Sequence, residues 1–139
     1  HRVIEDFMIQ TGGMKKDGEF KTATHPAIKN EARTSGLSNV AYTLSMARGG
    51  GANTATNQFF INTSDNSECL DAVIGTCDPQ RNGYAVFGTV VQGREVVDAI
   101  AGVPVRHHDP SAGTKCQGPE QQPSCPIKDV DLFSIKRVA

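Results

Sequence analysis

Two pairs of cysteines, two adjacent histidines and an arginine at the head of an apolar run are the residues whose types and spacing could carry chemistry. Cys69 and Cys77 lie 8 positions apart and Cys116 and Cys125 lie 9 apart, both pairs in loop-like segments. Four cysteines allow three pairings, and sequence does not choose among them. The local bridges Cys69–Cys77 and Cys116–Cys125 are preferred, since each closes a small loop worth about 2.5 kcal/mol in the chain-entropy model. Oxidised pairs imply a periplasmic or secreted protein, with a cytoplasmic one left open. Zinc and free thiols are the rival readings. The pairs lack the two-residue spacing of most structural zinc sites, so His107 and His108 read as exposed loop residues and no metal is expected.

Period-two spacing organises the polar candidates. Met8 and Gln10 share a strand face, as do Gln58, Phe60 and Asn62, while Phe59, Ile61 and Thr63 take the opposite side. Taken singly, Arg2 and Gln10 read as solvated strand positions and Phe7, Met8 and Phe60 as core.

The elements that must position these residues follow from composition. Val3 to Gln10 reads as two short strands bent at Glu5-Asp6 and ended by Thr11-Gly12-Gly13. Met14 to Ser38 is polar, with Phe20, Ile28 and Leu37 isolated, and reads as a long surface loop. Val40 to Ala47, Gln58 to Thr63 and Tyr84 to Val91 read as strands, the last interrupted by Gly88. Arg94 to Ala101 reads as a helix with Val97 and Ile100 on one stripe, Gly102 at its end and Pro104 beyond. Val103 to Pro126 reads as an irregular loop and Val130 to Val138 as a last strand. Short strands, glycine-rich turns and few helices predict a mainly β barrel or sandwich forming a single domain over residues 1–139.

With 139 residues, 37% of them hydrophobic and 21% charged, the chain reads as globular. A net charge of -1 gives no pull toward nucleic acid or anionic lipid. No apolar run is long enough for membrane insertion by a helix. The chain opens inside a strand-like run, His1-Arg2-Val3-Ile4, without Met, which predicts upstream residues beyond this sequence.

Three segments together resemble the cyclophilins, peptidyl-prolyl cis-trans isomerases built on an antiparallel β-barrel with capping helices. They are His1-Arg2-Val3-Ile4-Glu5-Asp6-Phe7-Met8-Ile9-Gln10, then Leu44-Ser45-Met46-Ala47 through Asn57-Gln58-Phe59-Phe60-Ile61, then Leu70-Asp71 with Tyr84-Ala85-Val86-Phe87-Gly88. The last run, with Ile28-Lys29-Asn30-Glu31, resembles the bacterial branch. Such proteins carry an N-terminal hairpin and first helix ahead of the His-Arg pair; this sequence opens at that pair, so the resemblance leads one to expect those strands upstream of it.

The resemblance implies isomerisation of X-Pro bonds in unfolded or extended polypeptides, without a cofactor. A non-catalytic module that binds Pro-containing segments is the alternative. Resonance locks an X-Pro amide behind a barrier of about 18–20 kcal/mol. Catalysis needs no covalent step: it needs an apolar pocket for the ring, a grip on the flanking peptide and a donor favouring the twisted amide, whose nitrogen lone pair is free. By resemblance Arg2 is the catalytic donor, Phe7, Met8, Phe60 and Leu70 form the proline pocket, and Gln10 bonds to the substrate backbone. Gln58 lies along the peptide groove, and Gly51 and Asn53 belong to a loop whose backbone pairs with substrate.

Three departures qualify the match. Cys69 stands where many relatives carry Trp, and the chain has no Trp, so a cyclosporin-type macrocycle should bind weakly. Tyr84 replaces a groove histidine, keeping an aromatic wall and a hydroxyl. The glycine loop ahead of Asn53 is one residue longer than usual, leaving Arg48 and Gly49 unassigned.

Overall fold

The computed structural model describes residues 1–107, 123–132 and 134. β1 (Arg2–Ile4) and β2 (Met8–Thr11) form an antiparallel hairpin. The acidic bend makes its turn: Asp6 adopts φ 52, a left-handed conformation that Asp tolerates, and the Phe7 N–H donates to the Ile4 carbonyl at 3.2 Å. β3 (Thr43–Met46), β4 (Phe59–Asn62) and β5 (Val86–Thr89) complete a sheet of order β1-β2-β4-β3-β5 in which every pairing is antiparallel. The mainly β architecture matches the sequence reading.

Alternation gives this sheet two buried faces. On one, Val3 and Ile9 pack with Val97 of helix α2 (Arg94–Ala101), with Ile61 and Ile100 against them. On the other, Ile4, Met8 and Phe60 pack with Leu70, and Phe7 and Tyr84 lean on that cluster. Helix α2 has the expected bounds, between Gly93 and Gly102.

Strand ends differ from expectation where tertiary bonds take the backbone. Tyr42, expected in a strand, sits at φ 66 with its N–H on the Asn62 carbonyl at 2.7 Å, so β3 starts at Thr43. Tyr84 leaves β5 because its N–H donates to the Leu70 carbonyl at 2.9 Å. Within β5 the pairing runs Leu44 to Gly88 and Ser45 to Val86, so Phe87 is the extra residue of a bulge, and the residue is 53% exposed.

Helix α1 (Ser67–Leu70), a single turn, falls where no helix was expected, since four residues carry no readable periodicity. Two residues at each end of the expected loop pair as β6 (Val105–Arg106) and β7 (Cys125–Pro126). Beside them the Val3 N–H donates to the Ser124 carbonyl at 2.8 Å, covering part of the outer side of β1. The expected last strand is corrected at its start: Val130 to Leu132 form no ladder, and the apolar side chains of Val130 and Leu132 stay exposed because no strand pairs with this segment among the described residues. The rest of that segment falls mostly outside the described residues. Among the described helices none is long and apolar enough to cross a membrane.

Candidate active site

Strand register assembles the polar candidates. Arg2 pairs with Gln10, Gln10 with Phe60, and Phe60 with Ser45, a cross-strand row over four strands on one face. Ile4, Met8 and Asn62 form the next row on that face. Above both lies an open cleft of about 1210 Å³, whose lining includes Arg2, Phe7, Met8, Gln10, Gln58, Phe60, Leu70 and Tyr84. Met8, Phe60 and Leu70 are only 3–4% exposed, so these residues are core and cleft floor at once.

A relay of side chains crosses the polar row. Arg2 Nη1 donates to Gln10 Oε1 at 3.2 Å, and Gln10 Nε2 donates to Gln58 Oε1 at 2.7 Å. This fixes the Gln10 amide, its oxygen toward the cation and its nitrogen along the groove. Among the described residues Arg2 makes no other side-chain hydrogen bond, and its buried Nε has no partner. Burial pulls the guanidinium below its ordinary pKa and the nearby Tyr84 phenol opposes the shift. Guanidinium starts so high that it stays charged at any working pH.

Loops build the other wall. Cys69 and Cys77 line the cleft and are joined by a disulfide, as the spacing favoured. The bridge closes a loop in which the carbonyls of Asp71 and Cys69 would lie 2.4 and 2.6 Å from any Cβ at Gly75, so only glycine fits there. Of the second expected bridge, Cys116 lies outside the described residues, as does His108. Asp71 accepts hydrogen bonds from Ser38 Oγ and from the Asn39 backbone and side-chain amides. Asn39 is fully buried and accepts from Ser45 Oγ at 2.7 Å and Asn62 Nδ2 at 3.3 Å, linking the Leu70 segment to the strands beneath the cleft.

Two expected residues are not in the cleft lining. The Gly51 carbonyl accepts from Thr54 Oγ1 at 2.8 Å, and Asn53 Oδ1 accepts from the Asn30 N–H at 2.9 Å. Both bonds hold the glycine loop to itself and to the long polar loop.

Sequence reasoning left Arg48 unassigned and did not single out Asp78. The structure joins them in an ion pair whose side chains are 3% and 7% exposed, with Arg48 in the cleft lining. Burial pushes the Asp78 carboxyl up, but the Gln80 and Asn82 backbone N–H groups and the Arg48 cation together outweigh it and hold the carboxyl below its usual range. Asp78 carried a local signal, since an Asp two residues before a free N–H commonly forms such a turn. The 30-residue separation from Arg48 carried none. Among the described residues, no group of three or more His, Cys, Asp or Glu is assembled for a metal.

Residues 1–120 match the family described as cyclophilin type peptidyl-prolyl cis-trans isomerase/CLD. The chain is 52% identical over 103 residues to the peptidyl-prolyl cis-trans isomerase cyp18 of Streptomyces antibioticus, covering 74% of this chain and 59% of that protein. It is 49% identical over 111 residues to peptidyl-prolyl cis-trans isomerase A of Dickeya dadantii, covering 79% of this chain and 54% of the relative. With peptidyl-prolyl cis-trans isomerase B of Escherichia coli it shares 47% over 109 residues, 74% and 60% of the two chains. The chain thus spans a little over half the length of these relatives.

Proposed function

This chain belongs to the cyclophilin-type peptidyl-prolyl cis-trans isomerase family, and on that premise we propose that it isomerises X-Pro bonds in extended or unfolded polypeptides. The observation that carries the reading is the Arg2–Gln10–Phe60 row, a cation with uncommitted donors beside an apolar floor of Phe60, Met8 and Leu70. In this account the proline ring rests on that floor, with Phe7 and Tyr84 at its sides. Gln10, oriented by Arg2 and Gln58, spends its remaining Nε2 hydrogen on the peptide backbone. Arg2 donates to the substrate carbonyl and favours localisation of the lone pair on nitrogen, which lowers the double-bond character that holds the amide planar. No bond is made or broken and no proton moves.

The Cys69–Cys77 bridge supports an oxidising compartment, periplasmic or extracellular. Its place in the cleft lining, at the position where many members of the family carry an indole, supports weak binding of cyclosporin-type macrocycles. The test is a protease-coupled assay on a short Ala-Pro peptide. Turnover well above the uncatalysed rate, lost in Arg2→Ala, is expected; binding of the peptide without turnover would make the chain a Pro-segment binding module instead.

A further inference from the structure

The loop wall holds a cation that this chemistry does not use. Arg48 Nε donates to the Gly83 carbonyl at 2.9 Å, Nη1 to the Gly49 carbonyl at 3.1 Å and Nη2 to the Asp78 carboxylate. Asp78 is itself anchored by the backbone N–H groups of Gln80, Asn82 and Gly83. A guanidinium so committed has little left to offer a substrate carbonyl. What it presents is its flat face, with Cζ 4.4 Å from the centre of the Tyr84 ring. Tyr84 meets Phe60 edge-on, the centroids 5.8 Å apart and the planes at 74°. Asp78, Arg48, Tyr84 and Phe60 thus form one stack running from a turn to the cleft floor. Gly83 completes it: at φ +69, and with any Cβ only 2.4 Å from the Ala72 nitrogen, it lets the chain bend so that Arg48 reaches its carbonyl.

We propose that Arg48 is a positioning residue for proline binding, pinned by Asp78 and Gly83 so that it holds the Tyr84 ring against Phe60 and sets the width of the pocket. This deepens the isomerase reading and rests on it. Lysine could keep the charge opposite Asp78, but it has no plane to cover the ring and cannot reach Gly83 at the same time. A buried ion pair is weak support for stability in itself, which leaves placement of the ring as what this one contributes.

The experiment measures kcat and KM for an Ala-Pro peptide, Kd for the same peptide by calorimetry, and urea unfolding, all on the full-length protein. Arg48→Met should raise KM and Kd about fivefold and leave kcat within about twofold, the pattern of lost ground-state binding. Adding Tyr84→Ala to that variant should cost less than about twofold more, because the two residues act as one unit. Wild-type KM and Kd in a folded Arg48→Met, or full additivity with Tyr84→Ala, overturns the proposal. If Arg48→Met loses its cooperative unfolding, Arg48→Lys is read instead: a raised KM and Kd supports the role and wild-type values overturn it. A wild-type chain without turnover fails the isomerase reading alone, since Kd still reports on Arg48.

Discussion

Arg2 and Arg48 both line the cleft, one on a strand and the other on a loop, and they are held in opposite ways. The backbone ladder fixes where Arg2 stands and one 3.2 Å bond to Gln10 steers its guanidinium, which leaves donors uncommitted. Arg48 is fixed through its side chain, by Asp78, Gly83 and the Tyr84 ring. The strand wall draws its rigidity from main-chain hydrogen bonds and core packing, so its polar side chains are free for chemistry. The loop wall has no ladder and uses its side chains as structure. A buried Arg on a loop is therefore a poor candidate catalyst and a good candidate brace.

The sharpest test of the strand wall is Phe60→Ala. Phe60 is 4% exposed and belongs to the cluster with Ile4, Met8 and Leu70. Its truncation should cost about 3–5 kcal/mol in urea unfolding as well as peptide binding. A loss under about 1 kcal/mol would mean that this wall is not the packed half.

Arg2→Ala should separate chemistry from structure. Turnover is expected to fall on the order of a hundredfold, as for removal of one transition-state donor. Stability and peptide affinity should change little, because one side-chain hydrogen bond is lost. An unfolding midpoint shifted as far as in Phe60→Ala would show that Arg2, too, is a structural residue.

Reduction of Cys69–Cys77 tests the loop wall. The chain-entropy model puts the loss at about 2.5 kcal/mol. Turnover should survive, since no thiol takes part. Loss of activity in parallel with the thiol titre would tie the two walls more closely than the contrast allows.

The smallest expected effect concerns Asp78. Its folded-state carboxyl titrates below its usual value, so the unfolded chain binds the proton first as pH falls. The stability it contributes is therefore complete above the unfolded value of about 3.9 and is lost as pH falls through the lower folded-state value. Asp78→Asn should cost about 2 kcal/mol at neutral pH, because Asn keeps an acceptor for the backbone N–H groups while Arg48 loses its counter-charge. Its acid unfolding limb, followed by circular dichroism, should be flatter than that of the wild type. Equal limbs would remove Asp78 from the brace.

Local pattern made much of this molecule legible. Alternation separated Met8 and Gln10 from Ile9 and put Phe60 and Phe59 on opposite faces, because side-chain period in a strand follows from backbone geometry alone. The 94–101 helix was readable from its apolar stripe and bounding glycine, and the Cys69–Cys77 bridge from loop length. Ordered motifs named Arg2, Phe7, Met8, Gln10, Gln58, Phe60, Leu70 and Tyr84 among the residues that line the cleft. What no window could show was partnership across the chain. The Arg2–Gln10–Phe60 row depends on register among three strands, and the bond from Gln10 to Gln58 that extends it spans 48 residues. The Arg48–Asp78–Tyr84 brace joins the loop after β3 to a turn 30 residues later. Tyr84 and Tyr42 left their expected strands because distant carbonyls claimed their N–H groups. Spacing and propensity act within a few residues, so they determined which side chains could face one another. Pairing, bridging and burial act between distant segments, so the tertiary structure alone decided which arginine is free for a substrate and which is bound into the wall.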